Sequence, residues 1–362
     1  MQLSIFLQLT TSLSISGFLV YLCIPVIVRI SEKKDLMDNP NKRKINKKPI
    51  PNLGGVAIFI GIAIAMLISM GKMEFIDMRY ILATMILIFF IGIKDDILVI
   101  SPKMKFSVQI LCAMILIILG DIRLTNLHGI LGINQISYIS SFVLSMLTIV
   151  GLINAFNLID GIDGLASGLG ILMSLLLGLF FYLWGQIGYA ILCAAIVGSL
   201  FTFSIFNLFG SVNKIFMGDT GSLIIGLLIA IMAVKFNEFS NSNHFYACSP
   251  VISIAIVFIP LADMTRVFLV RIKNKKSPFS PDMTHIHHKY LNYGYSHLHA
   301  SVAILFWNLA IFAIIFIFRF LNIHLLLCIL IVWGAVLPYI PKACAYVYQH
   351  ILSNKSSHNK SC

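Results

Sequence analysis

The sequence predicts an all-α protein, a polytopic helical bundle that crosses a membrane many times. Of its 362 residues, 59% are hydrophobic and 11% are charged, which is more apolar surface than a soluble core of this size can bury. Apolar windows of about 20 residues, the length of a helix that spans a bilayer core, recur along nearly the whole chain. Lipid is therefore the expected solvent of these segments.

About eleven windows have this length. The first lacks a charged segment before it and a small-residue cleavage site before Arg29, so we interpret it as a helix and not as a signal peptide. We expect residues 1–350 to form one transmembrane domain and residues 351–362 to form a tail. The windows run roughly over 4–29, 53–70, 79–93, 105–120, 137–153, 164–184, 188–208, 219–236, 246–270, 300–320 and 324–346.

The positive charges predict the orientation of the bundle. The net charge is +12, which in a soluble protein would indicate nucleic acid as a partner. With the N-terminus outside, the inner segments collect most of the basic residues, as the positive-inside rule requires, and the C-terminal tail is cytoplasmic. The orientation of the bundle then explains the positive charge, and no nucleic-acid partner is needed to account for it. Of the 26 lysines and arginines, the outer segments keep only Lys72, Arg79, Arg123, Lys235 and Arg319.

Polar clusters fall at the predicted inner ends of the helices, in five loops over residues 31–52, 94–104, 154–163, 209–218 and 271–299. Many carboxylates in one layer repel each other unless a cation lies among them. Oxygen ligands without cysteine favour Mg²⁺, or alternatively Mn²⁺, over zinc, and the seven cysteines show no CxxC spacing. The acids of this layer are Asp95, Asp96, Asp160, Asp163, Asp219 and Asp263.

Basic residues in the same loops supply donors for phosphate oxygens. The HIHH cluster at 285–288 and the helix start after Gly218 are expected to contribute side-chain and backbone donors. Carboxylates for a metal together with cations for phosphate favour phosphoryl transfer, in which catalysis is mainly positioning and charge neutralisation. The basic candidates are Lys48, Arg266, His285, His287 and His288.

Each cluster also has a simpler structural interpretation. Asp95 and Asp96 are compatible with solvated loop charges, and Asp219 before an apolar run is a good N-cap. Arg266 can extend from a helix end to the interface. The remaining residues with such an interpretation are the turn formers Asn157, Asp160 and Asp163 and the orientation signal from Lys42 to Lys48.

The motifs DNPNKRK, IPNLGG, KDD, NAFNLIDGIDGLA, FMGDTGS, DMTRV and SPFSPDMTHIHH follow each other in this order. Together they resemble the polyprenyl-phosphate N-acetylhexosamine-1-phosphate transferase family over about residues 35–300. The resemblance implies a multi-pass enzyme of the bacterial inner membrane with its site facing the cytoplasm. Its branch that uses UDP-N-acetylglucosamine and undecaprenyl phosphate, and so starts cell-surface glycans such as O-antigen, is the most similar one.

The resemblance also implies roles for individual residues. Asp95 and Asp96 match the catalytic acidic pair, and Asn157 and Asp219 match magnesium-binding positions. The other matches are Asp160 and Asp163 in the nucleotide site, Arg266 with His285, His287 and His288 around the diphosphate, and Asn207 and Phe216 near the nucleoside.

In the implied reaction the lipid phosphate attacks the sugar-linked phosphorus and UMP leaves. A phosphate monoester has a second pKa near 6, so the nucleophile is mostly ionised at neutral pH and Asp95 is expected to position it or complete its deprotonation. A two-step route through an aspartyl-phosphate stays open, and a homodimer is compatible with the sequence.

The main alternative is the sister enzyme that transfers phospho-N-acetylmuramoyl-pentapeptide. That branch typically carries three consecutive histidines where this chain has HIHH. A secondary transporter is disfavoured because the sequence shows neither binding residues near the midplane on broken helices nor repeated halves. A CDP-alcohol phosphotransferase is disfavoured because its alanine-arginine pair and spaced acids are missing from DGIDGLASGLG.

Overall fold

The computed structural model describes residues 2–38, 49–98, 100–242, 247–277 and 284–346, and nearly all of them are helical. Two short antiparallel pairs join β1 (Met37–Asp38) to β2 (Ile50–Pro51) and β3 (Asn126–Ile130) to β4 (Ile133–Gln135). The helices are α1 (Gln2–Lys33), α2 (Gly54–Ser69), α3 (Lys72–Leu98), α4 (Pro102–Met114, continued by a π-helical turn to Leu119), α5 (Tyr138–Ile159), α6 (Leu165–Leu183), α7 (Ile187–Phe209), α8 (Gly218–Ser242), α9 (Ser249–Ile256), α10 (Phe258–Lys273), α11 (Ile286–Asn292), α12 (His297–Ile317) and α13 (Ile323–Val336).

Within these described residues, eight helices are long and apolar enough to cross a membrane, or nine if the bent pair α9 and α10 forms one span. The predicted all-α membrane class is therefore confirmed. α2 is apolar but has only 16 residues, so the number of eleven spans stays a prediction, as does the orientation of the termini.

Helix α8 forms the centre of the bundle. In its span 83% of the most apolar window is buried, compared with 22% for α1, whose outer face is left for lipid. The N-terminus of α8 is packed so closely by α2 and α3 that glycines are required there: a Cβ on Gly92 would lie 2.5 Å from Thr220 Cα, and one on Gly55 would overlap the backbone of Gly221. This packing fixes where α8 begins.

A break between α9 and α10 turns the chain by 79°. Pro260 has no N–H, so the carbonyl of Ile256 loses its helical donor. The side chain of Asn308, on α12 and fully buried, donates from Nδ2 to that carbonyl at 2.9 Å and accepts the N–H of Ile259 at 3.1 Å. Since unpaired backbone groups are costly in an apolar interior, this one amide permits the bend.

Polar contacts gather at both ends of the bundle. At one end the β3–β4 hairpin is held by Glu238, which accepts from the backbone and hydroxyl of Thr125, and by His324, which accepts the Leu131 N–H at 3.0 Å. The other end carries the carboxyl ends of α3, α5, α7 and α10 with the starts of α4, α6, α8 and α12. The acidic and basic motifs lie at this second end.

Candidate active site

Lys105 joins two carboxylates from different helices. Its Nζ lies 2.5 Å from Asp95 Oδ2 and 3.0 Å from Asp219 Oδ2. Asp95 lies in the last turn of α3, and its other oxygen accepts the Ile100 N–H at 2.8 Å, which fixes the turn into α4. Lys105 lies in the first turn of α4, where Ser101 is the N-cap and Pro102 the first residue. The end of α3 and the starts of α4 and α8 therefore place the Lys105 cation between the two acids.

Asn157 contacts the same carboxylate from a third helix. Its Nδ2 donates to Asp219 Oδ1 and to Ser222 Oγ, the latter at 3.0 Å. Asp219 is thus held by Asn157 of α5 on one oxygen and by Lys105 of α4 on the other. The structure brings together the two residues that the resemblance assigned to magnesium.

Asp96 contacts the start of α8 through backbone and hydroxyl groups. Its Oδ1 accepts the Asp219 N–H at 2.7 Å, and its Oδ2 accepts the Thr220 N–H at 3.0 Å and the Thr220 hydroxyl at 2.5 Å. Both oxygens of Asp96 are therefore occupied by the helix N-terminus, where a negative charge is favourable. The two members of the acidic pair have different surroundings.

The donor set fits a hard divalent cation. Asp95 and Asp219 offer carboxylate oxygens and Asn157 has an amide oxygen, which are the ligand types that Mg²⁺ and Mn²⁺ prefer. The ammonium of Lys105 already occupies a position between two of these oxygens, so the pocket accepts positive charge. Among the described residues, no group of three His, Cys, Asp or Glu side chains is arranged as a metal site.

Asp160 and Asp163 lie in the loop between α5 and α6. Burial and the neighbouring carboxylates Asp219, Asp96 and Asp163 raise the pKa of Asp160 to about 8. A carboxyl with this pKa is largely protonated at neutral pH unless a cation approaches. Burial is the main cause of this shift, and the neighbouring carboxylates add to it.

Asp163 is instead neutralised by basic residues of other segments. Lys214 Nζ donates to its Oδ2 at 2.8 Å, and His297 Nδ1 lies 3.3 Å from the same oxygen. Burial alone would raise the pKa of Asp163, but these partners lower it below its ordinary value. Ser301 donates to the Asp163 carbonyl at 2.9 Å. Asp163 thus joins the α6 loop to the loop before α8 and to α12.

Asp263, at 1% exposure, organises the histidine segment. One oxygen accepts the Ile286 N–H at 2.9 Å and Arg266 Nη2 at 2.8 Å, and the other lies 2.7 Å from His285 Nδ1. Arg266 also donates to the Thr284 carbonyl. The buried carboxylate thereby fixes two predicted diphosphate ligands, Arg266 of α10 and His285 at the N-cap of α11.

His287 and His288 follow in the first turn of α11. His287 is 2% exposed and packs against Gly161, in the loop that also holds Asp160 and Asp163. Burial, reinforced by the charge of His288, lowers the pKa of His287 to about 3, so its ring is neutral. The rings of His287 and His288 lie 4.3 Å apart. The histidine segment therefore contacts the aspartate loop.

Asn207 and Phe216 hold the loop between α7 and α8 in place. Buried Asn207 accepts the Gly164 N–H at 2.7 Å and donates to the Ile215 carbonyl at 2.9 Å. The backbone of Phe216 pairs with Pro51 and Gly54, at 2.8 and 2.9 Å. The predicted nucleoside contacts of both residues stay predictions, and Lys48 lies outside the described residues.

Three basic residues in these clusters were missed by the sequence analysis: Lys105, Lys214 and His297. Lys105 lies nine positions after the end of the KDD motif and starts a predicted helix, and this was the available signal. Lys214 and His297 carry no local signal, because their partner Asp163 is distant in the chain.

These observations define a class of protein. It is a multi-pass helical membrane protein with an acidic, cation-accepting site at one end of the bundle. The family model for glycosyl transferase family 4 matches residues 78–237. An undecaprenyl-phosphate alpha-N-acetylglucosaminyl 1-phosphate transferase of Salmonella typhi is 32% identical over 304 residues, covering 82% of this chain and 81% of the relative.

Two further relatives carry the same description. The protein of Escherichia coli strain K12 is 31% identical over 281 residues, with 76% of this chain and 74% of the relative covered. That of Haemophilus influenzae is 34% identical over 275 residues, with 75% and 76% covered. The chain belongs to glycosyl transferase family 4.

Proposed function

We propose that the protein transfers N-acetylglucosamine 1-phosphate from UDP-N-acetylglucosamine to undecaprenyl phosphate. The observation that carries this proposal is the cluster of Asp95, Lys105, Asn157 and Asp219, in which acids and a cation from α3, α4, α5 and α8 meet at one end of a membrane bundle. Family membership and the names of the relatives support the choice of substrates. The lipid product would start a cell-surface glycan.

The reaction exchanges one phosphorus–oxygen bond for another. An oxygen of the lipid phosphate forms a bond to the sugar-linked phosphorus, the bond from that phosphorus to the UMP oxygen breaks, and UMP leaves with the electron pair. The lipid phosphate has a second pKa near 6, so most of it is ionised before it binds. Asp95 would orient this nucleophile or accept its remaining proton.

The acidic side of the site would hold a cation that neutralises charge on the leaving group. Asn157 and Asp219 would hold a magnesium ion, which supplies charge neutralisation for the diphosphate. Asp96 would keep Asp219 in position through the α8 N-terminus. Asp160 lies close enough to sense the charges of Asp219 and Asp96, and with Asp163 it would border the nucleotide.

The basic side of the site binds phosphate oxygens. Arg266 would act from α10 and His285 from the N-cap of α11, and Asp263 fixes both of them. His288 would add a further donor from the same turn, and Lys48 is proposed to join from the loop before β2. Asn207 and Phe216 hold the loop before α8 in place. Both residues would border the nucleoside.

The proposal includes a bacterial inner-membrane location, with the N-terminus outside and both the site and the C-terminal tail in the cytoplasm. The distribution of lysine and arginine supports this orientation. Tags at the C-terminus and within 273–284 should react with impermeant reagents only after the inner membrane is opened. Labelling of either tag from the periplasm would reverse the orientation.

The transfer is tested with purified protein, undecaprenyl phosphate, Mg²⁺ and a panel of radiolabelled UDP-sugars. Label should enter the lipid phase from UDP-N-acetylglucosamine, with release of UMP. In a second arm, UDP-N-acetylglucosamine and UDP-N-acetylmuramoyl-pentapeptide compete at equal concentration. Predominant transfer of the pentapeptide precursor would assign the chain to the sister activity, and no transfer of any sugar would reject the proposal.

A further inference from the structure

The acidic cluster of the candidate active site already contains a cation that belongs to the chain itself. Lys105 Nζ contacts Oδ2 of Asp95 and Oδ2 of Asp219, while Asn157 occupies the other oxygen of Asp219. The Lys105 side chain is 17% exposed, and the N-cap of α4 fixes the base of its stem. Its ammonium is therefore held in the acidic cluster and does not extend into solvent.

A divalent ion and this ammonium need the same atoms. The oxygens that Lys105 contacts belong to Asp219, a candidate magnesium ligand, and to Asp95, its nearest acidic neighbour in the cluster. An ammonium and a divalent cation a few ångströms apart repel each other strongly in a partly buried site. Both cannot bind these oxygens at full strength.

We propose that Lys105 competes with the divalent cation for Asp95 and Asp219, so that metal binding displaces the ammonium from the two carboxylates. This inference rests on the proposed metal-dependent function and concerns how the metal is admitted. Lys105 acts as a built-in counter-cation: it neutralises the two acids and thereby lowers their affinity for a second cation. The long, flexible lysine stem allows the ammonium to move aside without a change in the helices.

The competition predicts that metal affinity changes, on removal of Lys105, in the direction opposite to that expected for a structural ion pair. Removing one partner of a buried structural pair leaves a charge uncompensated and weakens the site. Removing Lys105 also leaves Asp95 and Asp219 facing each other without compensation, but this repulsion is relieved by a bound divalent ion. The affinity for metal should therefore rise when Lys105 is lost, although the protein without metal becomes less stable.

The test measures Mn²⁺ binding to the full-length protein in detergent by electron paramagnetic resonance, without nucleotide or lipid. Lys105→Gln should bind Mn²⁺ at least about tenfold more tightly than the wild type. Lys103→Gln is the matched control, because Lys103 is exposed on the same turn of α4. Its Mn²⁺ affinity should stay within about twofold of the wild-type value. Unchanged or weaker binding by folded Lys105→Gln would overturn the inference.

Lys105→Arg keeps the competing charge. It tests the competition between lysine and metal if Lys105→Gln does not fold. Its Mn²⁺ affinity should stay within about twofold of the wild-type affinity, whereas a rise of about tenfold would overturn the inference. Equal binding by the wild type and Lys105→Gln would reject the competition and leave the transferase proposal intact. If neither protein binds Mn²⁺, both the competition and the proposed metal site fail.

Discussion

Asp96 caps the helix that carries Asp219. The carboxylate of Asp96 accepts the N–H groups of Asp219 and Thr220 at 2.7 and 3.0 Å, together with the Thr220 hydroxyl. Asp95, the adjacent residue, instead contacts Lys105 and the Ile100 N–H. Adjacent acids on one helix end thus have separate tasks, because consecutive side chains on a helix point in different directions.

Asp96→Ala should lower activity by displacing Asp219. A lost cap removes about 1–2 kcal/mol from the helix end, so the melting temperature and the Mn²⁺ affinity should both fall. Thr220→Val keeps the two backbone bonds and removes only the hydroxyl contact, so it should have a smaller effect on both quantities. Differential scanning fluorimetry and Mn²⁺ titration measure them. Wild-type Mn²⁺ affinity in Asp96→Ala would contradict the positioning role.

Asp219→Ala and Asp95→Asn should differ in their effect on metal. Asp219→Ala should nearly abolish transfer and weaken Mg²⁺ binding, because the diphosphate charge is left uncompensated. Asp95→Asn should keep measurable activity that rises with pH through the phosphate ionisation near 6 and then levels off, and its loss of Mg²⁺ affinity should be smaller than that of Asp219→Ala, because Asp219 keeps its carboxylate. Initial rates between pH 5 and 9 distinguish the two variants.

The reverse pattern would show that these roles are assigned backwards: Asp95→Asn inactive at every pH and Asp219→Ala active with normal Mg²⁺ dependence. A phospho-enzyme trapped in the wild type and absent only from Asp95→Asn would reject the one-step reaction.

The helices and the acidic motifs could be predicted from sequence, because hydropathy is local and the motifs lie at helix ends. The contacts between distant segments could not. Lys105 reaches Asp219 across 114 positions, and Asp163 pairs with Lys214 and His297 from two other segments. Such pairs depend on how the helices pack, and a lysine near an interface has the ordinary explanation of an orientation signal.

The bend between α9 and α10 could not be predicted from the sequence either. The predicted ninth window, 246–270, is one apolar run in the sequence, yet it contains the 79° bend at Val257. Pro260 signals a possible kink, but whether a helix bends there depends on a partner for the freed carbonyl. That partner, Asn308, lies in another helix.

Asp263→Asn should disorganise the histidine segment. The substitution removes the charge that compensates Arg266 and orients His285 in a buried site, and breaking such a pair costs about 3–5 kcal/mol. The KM for UDP-N-acetylglucosamine should rise more than kcat falls, since phosphate donors are displaced while Asp219 is untouched. Steady-state kinetics measure this. A purely structural residue would lower the melting temperature with no change in KM.

Acid should destabilise the protein through His287. The folded pKa is about 3 and the unfolded pKa about 6.5, so the unfolded state binds more protons between these values. The contribution of His287 is thus lost as the pH falls below 6.5, by about 2 kcal/mol at pH 5. The pKa of Asp160, raised to about 8, adds stability over the same range, so the test compares variants: the melting temperature of His287→Gln should rise relative to that of the wild type as the pH falls from 7 to 5. His299→Gln, at an exposed position, should leave the wild-type slope unchanged, and an equal slope in His287→Gln would contradict the assignment.

Asn308→Leu should destabilise the bend between α9 and α10. The leucine has a similar volume but leaves the Ile256 carbonyl and the Ile259 N–H unpaired, and each unpaired buried group costs about 1–3 kcal/mol. The melting temperature should fall. Activity should fall with it, because α10 carries Asp263 and the direction of α10 sets where that residue lies.

A double-mutant cycle with Pro260→Ala tests the cause. Alanine restores an N–H four residues after Ile256, so the carbonyl regains a helical donor when the amide of Asn308 is absent. The loss of melting temperature caused by Asn308→Leu should therefore be smaller in the Pro260→Ala background than in the wild type. Additive losses would mean that Asn308 stabilises the bundle by packing alone and that the bend has another origin.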